Sequence, residues 1–317
     1  MMYRQITFEE RYTLGLLRQR GLSPAAIARV LGRHRSTIGR EVQRNRARSD
    51  ATYRPQLADW YARGRRSRSR RNQRFAAADW RRVEALVRQD WSPEQVAGWL
   101  RRQRLLAISH ETIYRYIWAD KRQGGRLYLH LRGARKLRRK RYGSYDSRGR
   151  LAGKRPITAR PPAVEARAEV GHWEADTVLG AGQAGPCIFS MVERKTGYLV
   201  IGKLRQRTTA EVNRRATSLI QAQAQPVRTI TVDNGTEFHG YAAIEQATAA
   251  EFYFATPHHA WERGTNENTN GLLRQYLPKG QSMDHLTQHD CNRIARKLNR
   301  RPRKRLGYRT PEECYVP

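Results

Sequence analysis

Acidic residues are scarce in this 317-residue chain: 28 Asp and Glu stand against 62 Lys and Arg, a formal net charge of +34. That excess is far beyond what solubility needs, and a polyanion is its natural partner. Long hydrophobic runs are missing too. No stretch approaches the ~18 apolar residues of a spanning helix, which favours nucleic acid over a membrane. The opening "MMYRQITFEE" has no apolar signal-peptide core, so a cytoplasmic, nucleoid-associated location is expected. Cysteine is rare, and Cys187, Cys291 and Cys314 form no C-x-x-C pair. This excludes a disulfide framework and a cysteine zinc site, leaving inert buried thiols. His285 and His289 have the i, i+4 spacing of a zinc pair but lack a third ligand, and are read as a solvated helix face.

What the chain does have is unevenly placed. Residues 1–160 hold 41 of the 62 basic residues and 12 of the 28 acids. The front half reads as a nucleic-acid-handling arm and the back half as an ordinary globular domain. In "ITFEERYTLGLLRQRGLSPAAIARVLGRHRSTIGREVQRN", Thr7 is a helix cap and Leu14 and Leu17 recur at helical spacing as far as Gly21. Ser23 and Pro24 open a second helix with Ile27, Val30 and Leu31 on its apolar face. Gly32 ends it. A third helix, His34 to Asn45, turns Ile38 and Val42 inward and Arg40 and Arg44 outward. This is a helix-turn-helix, whose last helix lies in the major groove. Arg33, His34, Arg35, Ser36, Thr37, Arg40 and Arg44 are its candidate DNA contacts, able to read guanine or grip phosphate. The competing reading is a three-helix bundle with a solvated basic face.

The pattern recurs in "DWSPEQVAGWLRRQRLLAISHETIYRYIWAD". Ser92 and Gln95 form a capping box, Val96, Trp99 and Leu100 an apolar stripe, and Ile113 and Ile117 the buried side of a last helix. His110, Thr112 and Arg115 then face a groove, with Tyr114, Tyr116 and Trp118 assigned to the core. The segments "RGRRSRSRRNQR" (63–74) and "LRGARKLRRKRYGSYDSRGR" (131–150) are too densely charged to pack. They are read as linkers that grip phosphate independently of sequence and weaken with salt. The expected domains are residues 1–50 and 76–122 as helix-turn-helix units, 51–75 and 123–160 as basic linkers, and 161–317 as the core.

From residue 170 the pattern becomes strand-like: "VGHWEADTVLG", "PCIFSMVER" and "YLVIGKL", with a "KTG" hairpin turn between the last two. A helix from Thr209 to Gln223, the strand "VRTITVD", a helix near Tyr241 to Thr248 and the short run "EFYFA" follow. A helix after Gly264 and a basic helix from Asp284 to Arg300 end the chain. These describe a mixed five-stranded α/β sheet with helices on its faces. Asp176, Asp233 and Glu267 stand where such a fold gathers them, provided the first and fourth strands are neighbours. Phosphodiester cleavage places charge on attacking and leaving oxygens, which two Mg2+ ions ~3.5–4 Å apart stabilise, and such ions take carboxylate oxygens. Glu174 shares a strand face with Asp176 and competes for its role. Glu237 competes with Asp233, or caps the next helix. Arg274, nearly two turns beyond Glu267 on one helix face, is a candidate for gripping phosphate. His258, His259 and Trp261 precede that helix, with DNA contact, packing and solvent all open.

"DTV" at 176, "VDNG" at 232 and "WERGTNENTNGLLRQYLPKG" at 261–280 resemble the catalytic core of bacterial insertion-sequence transposases, most closely the family of insertion sequence thirty. Thirty-three residues separate Asp233 from Glu267, as in that family, and the resemblance extends through "KLNRRPRKRLGYRTPEE" at 297–313 and the first helix-turn-helix. It implies a multidomain protein: all-α helix-turn-helix units, then an α/β ribonuclease-H-like domain. Asp176, Asp233 and Glu267 would bind two Mg2+ ions, with Mn2+ a substitute, favouring Asp176 over Glu174. It further implies cleavage and joining of double-stranded DNA, transposon ends and target, by a homodimer or higher oligomer. The rivals are a DNA-binding regulator with an inactive core and a ribonuclease-H-like nuclease.

Overall fold

A computed structural model describes residues 5–68, 75–132, 153–182, 185–257 and 259–316. The chain divides into two compact units, Met1–Trp80 and Arg81–Pro317.

In the first unit Thr7 and Glu10 form a capping box on α1 (Phe8–Gln19), and Ser23 caps α2 (Pro24–Val30). Gly21 and Gly32 take φ of +79° and +60°, turning the chain toward α3 (Arg35–Asn45); side chains disfavour that region. Leu14, Ile27 and Ile38 are fully buried in one core, with Val42 packed against it. The stretch 51–75, expected as a linker, contains a fourth helix, α4 (Pro55–Arg68). Ala58 joins the same core, and the buried Arg11 of α1 reaches Glu41 at 2.7 Å and Asp59 at 3.0 Å. The fourth helix is thus held by charge as well as by its buried alanines, and apolar periodicity does not register the ionic part. Residues 69–74 and 133–152, half of the first basic segment and most of the second, lie outside the described residues.

The second unit opens with most of α5 (Ala77–Arg88), followed by α6 (Pro93–Arg102) and α7 (His110–Arg122). Ser92 and Gln95 make the expected capping box, and Val96, Leu100, Ile113 and Ile117 are buried. After α8 (Pro162–Ala166) come β1 (His172–Leu179), β2 (Cys187–Glu193), β3 (Leu199–Leu204), α9 (Thr209–Gln221), β4 (Thr229–Val232), α10 (Tyr241–Thr248), β5 (Glu251–Phe254), α11 (Gly264–Leu273), α12 (Gln288–Asn299) and α13 (Pro311–Tyr315). The final long helix begins four residues later than expected, because Thr287 and Asp290 build a capping box there.

The sheet order is β3-β2-β1-β4-β5. β2 runs antiparallel to β1 and β3, whereas β4 is parallel to β1 and β5. This mixed five-stranded sheet is ribonuclease-H-like, and it makes β1 and β4 neighbours as the acid hypothesis requires. Alternation along β1 sends Trp173 and Ala175 into a core with Val212, Ala216 and Ile244 of α9 and α10. Val178 faces the other way, into a core with Leu272 and Leu273 of α11 and Ile294 and Leu298 of α12. Glu174 and Asp176 share that second face.

The second helical module is built onto the sheet domain. A Cβ on Gly98 of α6 would lie 2.1 Å from the Tyr308 ring, so only glycine permits this approach. Asp90, at φ +65° after α5, accepts from Tyr276 at 3.1 Å and Lys297 at 3.3 Å, and pairs with His130 at 2.9 Å. Lys304 meets Glu94 at 2.8 Å.

Candidate functional site

Asp233 stands one residue beyond β4, and its Oδ1 accepts the Gly235 N–H at 2.9 Å. A Cβ at Gly235 would meet Glu237 Oε2 at 2.3 Å and Asp233 Oδ1 at 2.9 Å, which is why the strand ends in "DNG". Asp176 lies on the neighbouring strand, Oδ1 bonded to the Thr177 N–H at 2.9 Å and Oδ2 to the Asn270 amide at 2.7 Å. One guanidinium, that of Arg263, approaches Asp176 at 3.6 Å and Asp233 at 3.8 Å, while donating to the Ala175 carbonyl at 3.0 Å. Burial pushes the Asp176 carboxyl above its ordinary pKa; Arg263 opposes that rise and the like charge of Asp233 adds to it. Two carboxylates from adjacent strands therefore meet around a cation.

Glu267 is exposed on α11, between Asn266 and Asn270, which both bond to β1. Among the described residues no three of His, Cys, Asp and Glu cluster closely enough to hold a metal. The geometry brings together Asp176 and Asp233 and leaves Glu267 apart, on the helix that touches Asp176. A third carboxylate converging on this half-buried pair would add repulsion that one guanidinium does not offset.

The rival acids have other work. Glu174, 1% exposed, receives Arg194 Nη1 at 2.9 Å and the Asn266 N–H at 2.8 Å. Glu237 is buried too, accepting the Thr177 hydroxyl at 2.7 Å and pairing with Arg207 at 3.2 Å. Arg274, expected to grip phosphate, is half-buried and donates to the Leu179 carbonyl at 2.8 Å, clamping the end of β1. Burial lowers its pKa, opposed by the charge of Asp176.

On α3, His34 is the cap, its Nδ1 accepting the Ser36 N–H at 3.3 Å. Arg35, Ser36, Arg40 and Arg44 are exposed and Thr37 half-buried. Arg40 folds back onto Ser36, its Nε donating to the carbonyl at 3.1 Å. Arg33 differs from its neighbours, since its guanidinium is joined to Glu10 of α1 at 2.9 Å and ties the turn to the first helix. On α7, His110 and Arg115 are exposed and Thr112 bonds to the Ser109 cap. Tyr114 and Trp118, assigned to the core from sequence, are instead 38% and 44% exposed; Ile113 and Ile117 alone fill the inward stripe. Tyr116 is half-buried and donates to Glu84 at 2.5 Å.

Residues 2–45 match the family model described as a helix-turn-helix domain. Over 99% of its length the chain is 39% identical to the transposase for insertion sequence element IS4351 of Bacteroides fragilis, covering 96% of that protein. The transposase for IS1086 of Cupriavidus metallidurans is 38% identical over 98% of this chain and 93% of its own. Transposase InsI for IS30A of Escherichia coli is 36% identical, over 97% of this chain and 82% of its own. The chain belongs to the insertion-sequence transposases, in the family of insertion sequence thirty. Among solved structures, the catalytic core domain of BIV integrase aligns with 46% of this chain and 93% of its own, at 19% identity and a TM-score of 0.36.

Three residues of this transposase escaped the sequence reading. Arg263 and Asn270 lie four before and three after Glu267, about one helical turn away on either side, with Arg263 just ahead of α11, and that spacing was the available signal. Lys154, inside a stretch read as linker, donates to Asn234 at 2.9 Å, next to Asp233. Burial lowers its pKa, with the Asp233 charge opposing. His258 lies outside the described residues. His285 and His289 are exposed, Cys187 and Cys291 are buried, and Cys314 is half-buried. No helix among the described residues is long and apolar enough to cross a membrane.

Proposed function

We propose that this transposase binds the terminal inverted repeats of its insertion sequence through its helix-turn-helix units and cuts and joins DNA strands at a metal site built on Asp176, Asp233 and Glu267. The observation that carries the reading is the shared guanidinium: two carboxylates from β1 and β4 are poised around a single positive charge. The donor set fits a hard divalent ion. Both acids offer oxygens, and the Asn270 Oδ1 beside them is buried with no hydrogen-bond partner. Asp176 and Asp233 would hold Mg2+, two ions with Mn2+ a substitute, and Glu267 would join from the adjacent helix. Bound there, the ions supply charge neutralisation at the attacking and leaving oxygens.

The chain's own residues do the rest. Asn270 orients the Asp176 carboxylate, Gly235 N–H that of Asp233, and Arg274 fixes the end of β1. Water, then a DNA 3′-hydroxyl, serves as nucleophile, so no covalent protein intermediate forms. Exposed Arg35 and Arg44 on α3, and His110 and Arg115 on α7, supply phosphate and base contacts. Because two element ends must meet, the working form is at least a homodimer on double-stranded DNA.

The guanidinium of Arg263, standing between Asp176 and Asp233, favours one alternative, a DNA-binding regulator with an inactive core. Labelled element ends incubated with Mg2+ or chelator distinguish the two. Joined products should form only with Mg2+ and vanish in Asp233→Asn, with end binding retained. A chain that binds ends yet yields no product is a regulator; cutting without joining or end preference marks a nuclease.

A further inference from the structure

Trp261 is the most exposed large apolar side chain among the described residues, at 71%. A single exposed ring is ordinary on a protein surface, and Trp60 is 68% exposed, so exposure alone does not mark a site. The setting of Trp261 is built rather than loose. The His259 ring stacks on it, centroids 4.4 Å apart and planes 25° from parallel. His259 is in turn held by Glu262 at 3.3 Å, and Glu262 also accepts the Thr256 N–H at 2.7 Å. Both aromatics therefore sit on a short turn whose ends are pinned. The next residue along but one is Arg263, which meets Asp176 and Asp233. The exposed ring is two residues from the point where the acids converge.

We infer that His259 and Trp261 form a stacking platform for one unpaired nucleobase beside the phosphate being cut. An indole backed by an imidazole offers a broad π-surface, which any base can cover irrespective of its hydrogen-bonding edge. A base withdrawn from the duplex onto that surface opens the strand locally, letting the adjoining phosphate descend to the half-buried carboxylates. Arg263, on the same turn, is then close to that phosphate, so seating the base and moving the guanidinium off the acids are steps of one short segment. This inference rests on the reading of Asp176 and Asp233 as the cutting site, and its test reads binding rather than cutting.

The test is a cycle between protein and DNA. The full chain, Trp261→Ala and Trp261→Phe are titrated onto duplexes carrying the terminal sequence of the element. The duplexes are either intact or abasic at one nucleotide flanking the scissile bond, each position in turn. Ca2+ replaces Mg2+, since it takes carboxylate oxygens with looser geometry, and products are checked on the same gel. Trp261→Ala should weaken binding to the intact end by roughly ten-fold or more, the scale of one base–aromatic stack. Trp261→Phe should recover most of it. At one abasic position the penalty of Trp261→Ala should disappear, because the missing base leaves nothing to stack. Equal penalties on intact and abasic DNA at every position, or no penalty at all, would overturn the platform. A failure of the full chain to cut in Mg2+, with the cycle intact, would instead sink the catalytic reading.

Discussion

Glu174 is the acid whose strand position competes with Asp176, and its ion pair with Arg194 sets a measurable cost. Both side chains are almost sealed from solvent, 1% and 4% exposed, at 2.9 Å. In Glu174→Gln the shape is kept but the guanidinium loses its buried counter-charge. Glu165, which also reaches Arg194 at 3.1 Å, is 75% exposed and offers a screened substitute. Removing one partner of a buried pair costs about 3–5 kcal/mol. The residual contact to Glu165 argues for the lower end, ~3 kcal/mol. At about 2–4 °C per kcal/mol for a unit of this size, Tm should fall by roughly 6–12 °C. Calorimetry on the full chain measures this directly. The double change Glu174→Gln/Arg194→Met should regain at least half of the loss, since burying the pair was itself costly. A Tm within about 1 °C of the parent for the single change, or a double variant as unstable as the sum of the two singles, would refute the reasoning. Folded Glu174→Gln should still cut DNA, whereas Asp176→Asn should not.

Gly98→Ala should destabilise by about 1–3 kcal/mol despite alanine's better helix propensity, because the added methyl falls inside the Tyr308 ring; a stabilised variant in urea unfolding would contradict this. Asp90 gives an acid dependence. Burial raises its pKa, but the His130 hydrogen bond, the Lys297 charge and the Tyr276 hydroxyl together bring it below the ordinary value. A depressed carboxyl contributes stability above its unfolded pKa of about 3.9 that is lost as pH falls through the lower folded value. Asp90→Asn should therefore lower stability at pH 6 and flatten its fall below pH 4, read from denaturant midpoints. On α3, Arg35→Ala should reduce the salt slope of DNA binding by about one, while Arg33→Ala, which breaks the bond to Glu10, should lower Tm. Identical effects from the two would reject the division between reading and bracing.

Strand and helix identities were legible because burial imposes period: Ile27 and Ile38, or Trp173 and Ala175 against Val178, repeat as helices and strands require. Caps were legible for the same local reason at Thr7, Ser23 and Ser92. What escaped depends on partners distant in sequence. α4 is anchored through Arg11 to Asp59, 48 residues away, and no local pattern marks an ionic anchor. Tyr114 and Trp118 stand in solvent despite their aromatic character, because two isoleucines already fill the inward stripe. Arg274 lies one residue past the end of the expected helix, as its C-cap, and donates to a backbone carbonyl, and spacing alone does not tell a phosphate grip from a strand clamp.

The same distinction explains the arrangement of the acids. Sequence spacing marks Asp176, Asp233 and Glu267 as a set, but without divalent cations a set of three carboxylates repels itself in a half-buried cleft. The chain resolves the repulsion by keeping two acids around Arg263 and leaving the third in water on the same helix as Asn270. If that account is right, Arg263→Ala should raise the pKa of the Asp176 carboxyl further, since it removes the largest of the influences holding it down, ahead of the Asn270 and Thr177 hydrogen bonds, and should tighten Mg2+ binding. Carboxyl NMR and calorimetric Mg2+ titration read the two effects separately. Unchanged Mg2+ affinity would mean that the guanidinium braces the Ala175 carbonyl and does not stand where a cation belongs.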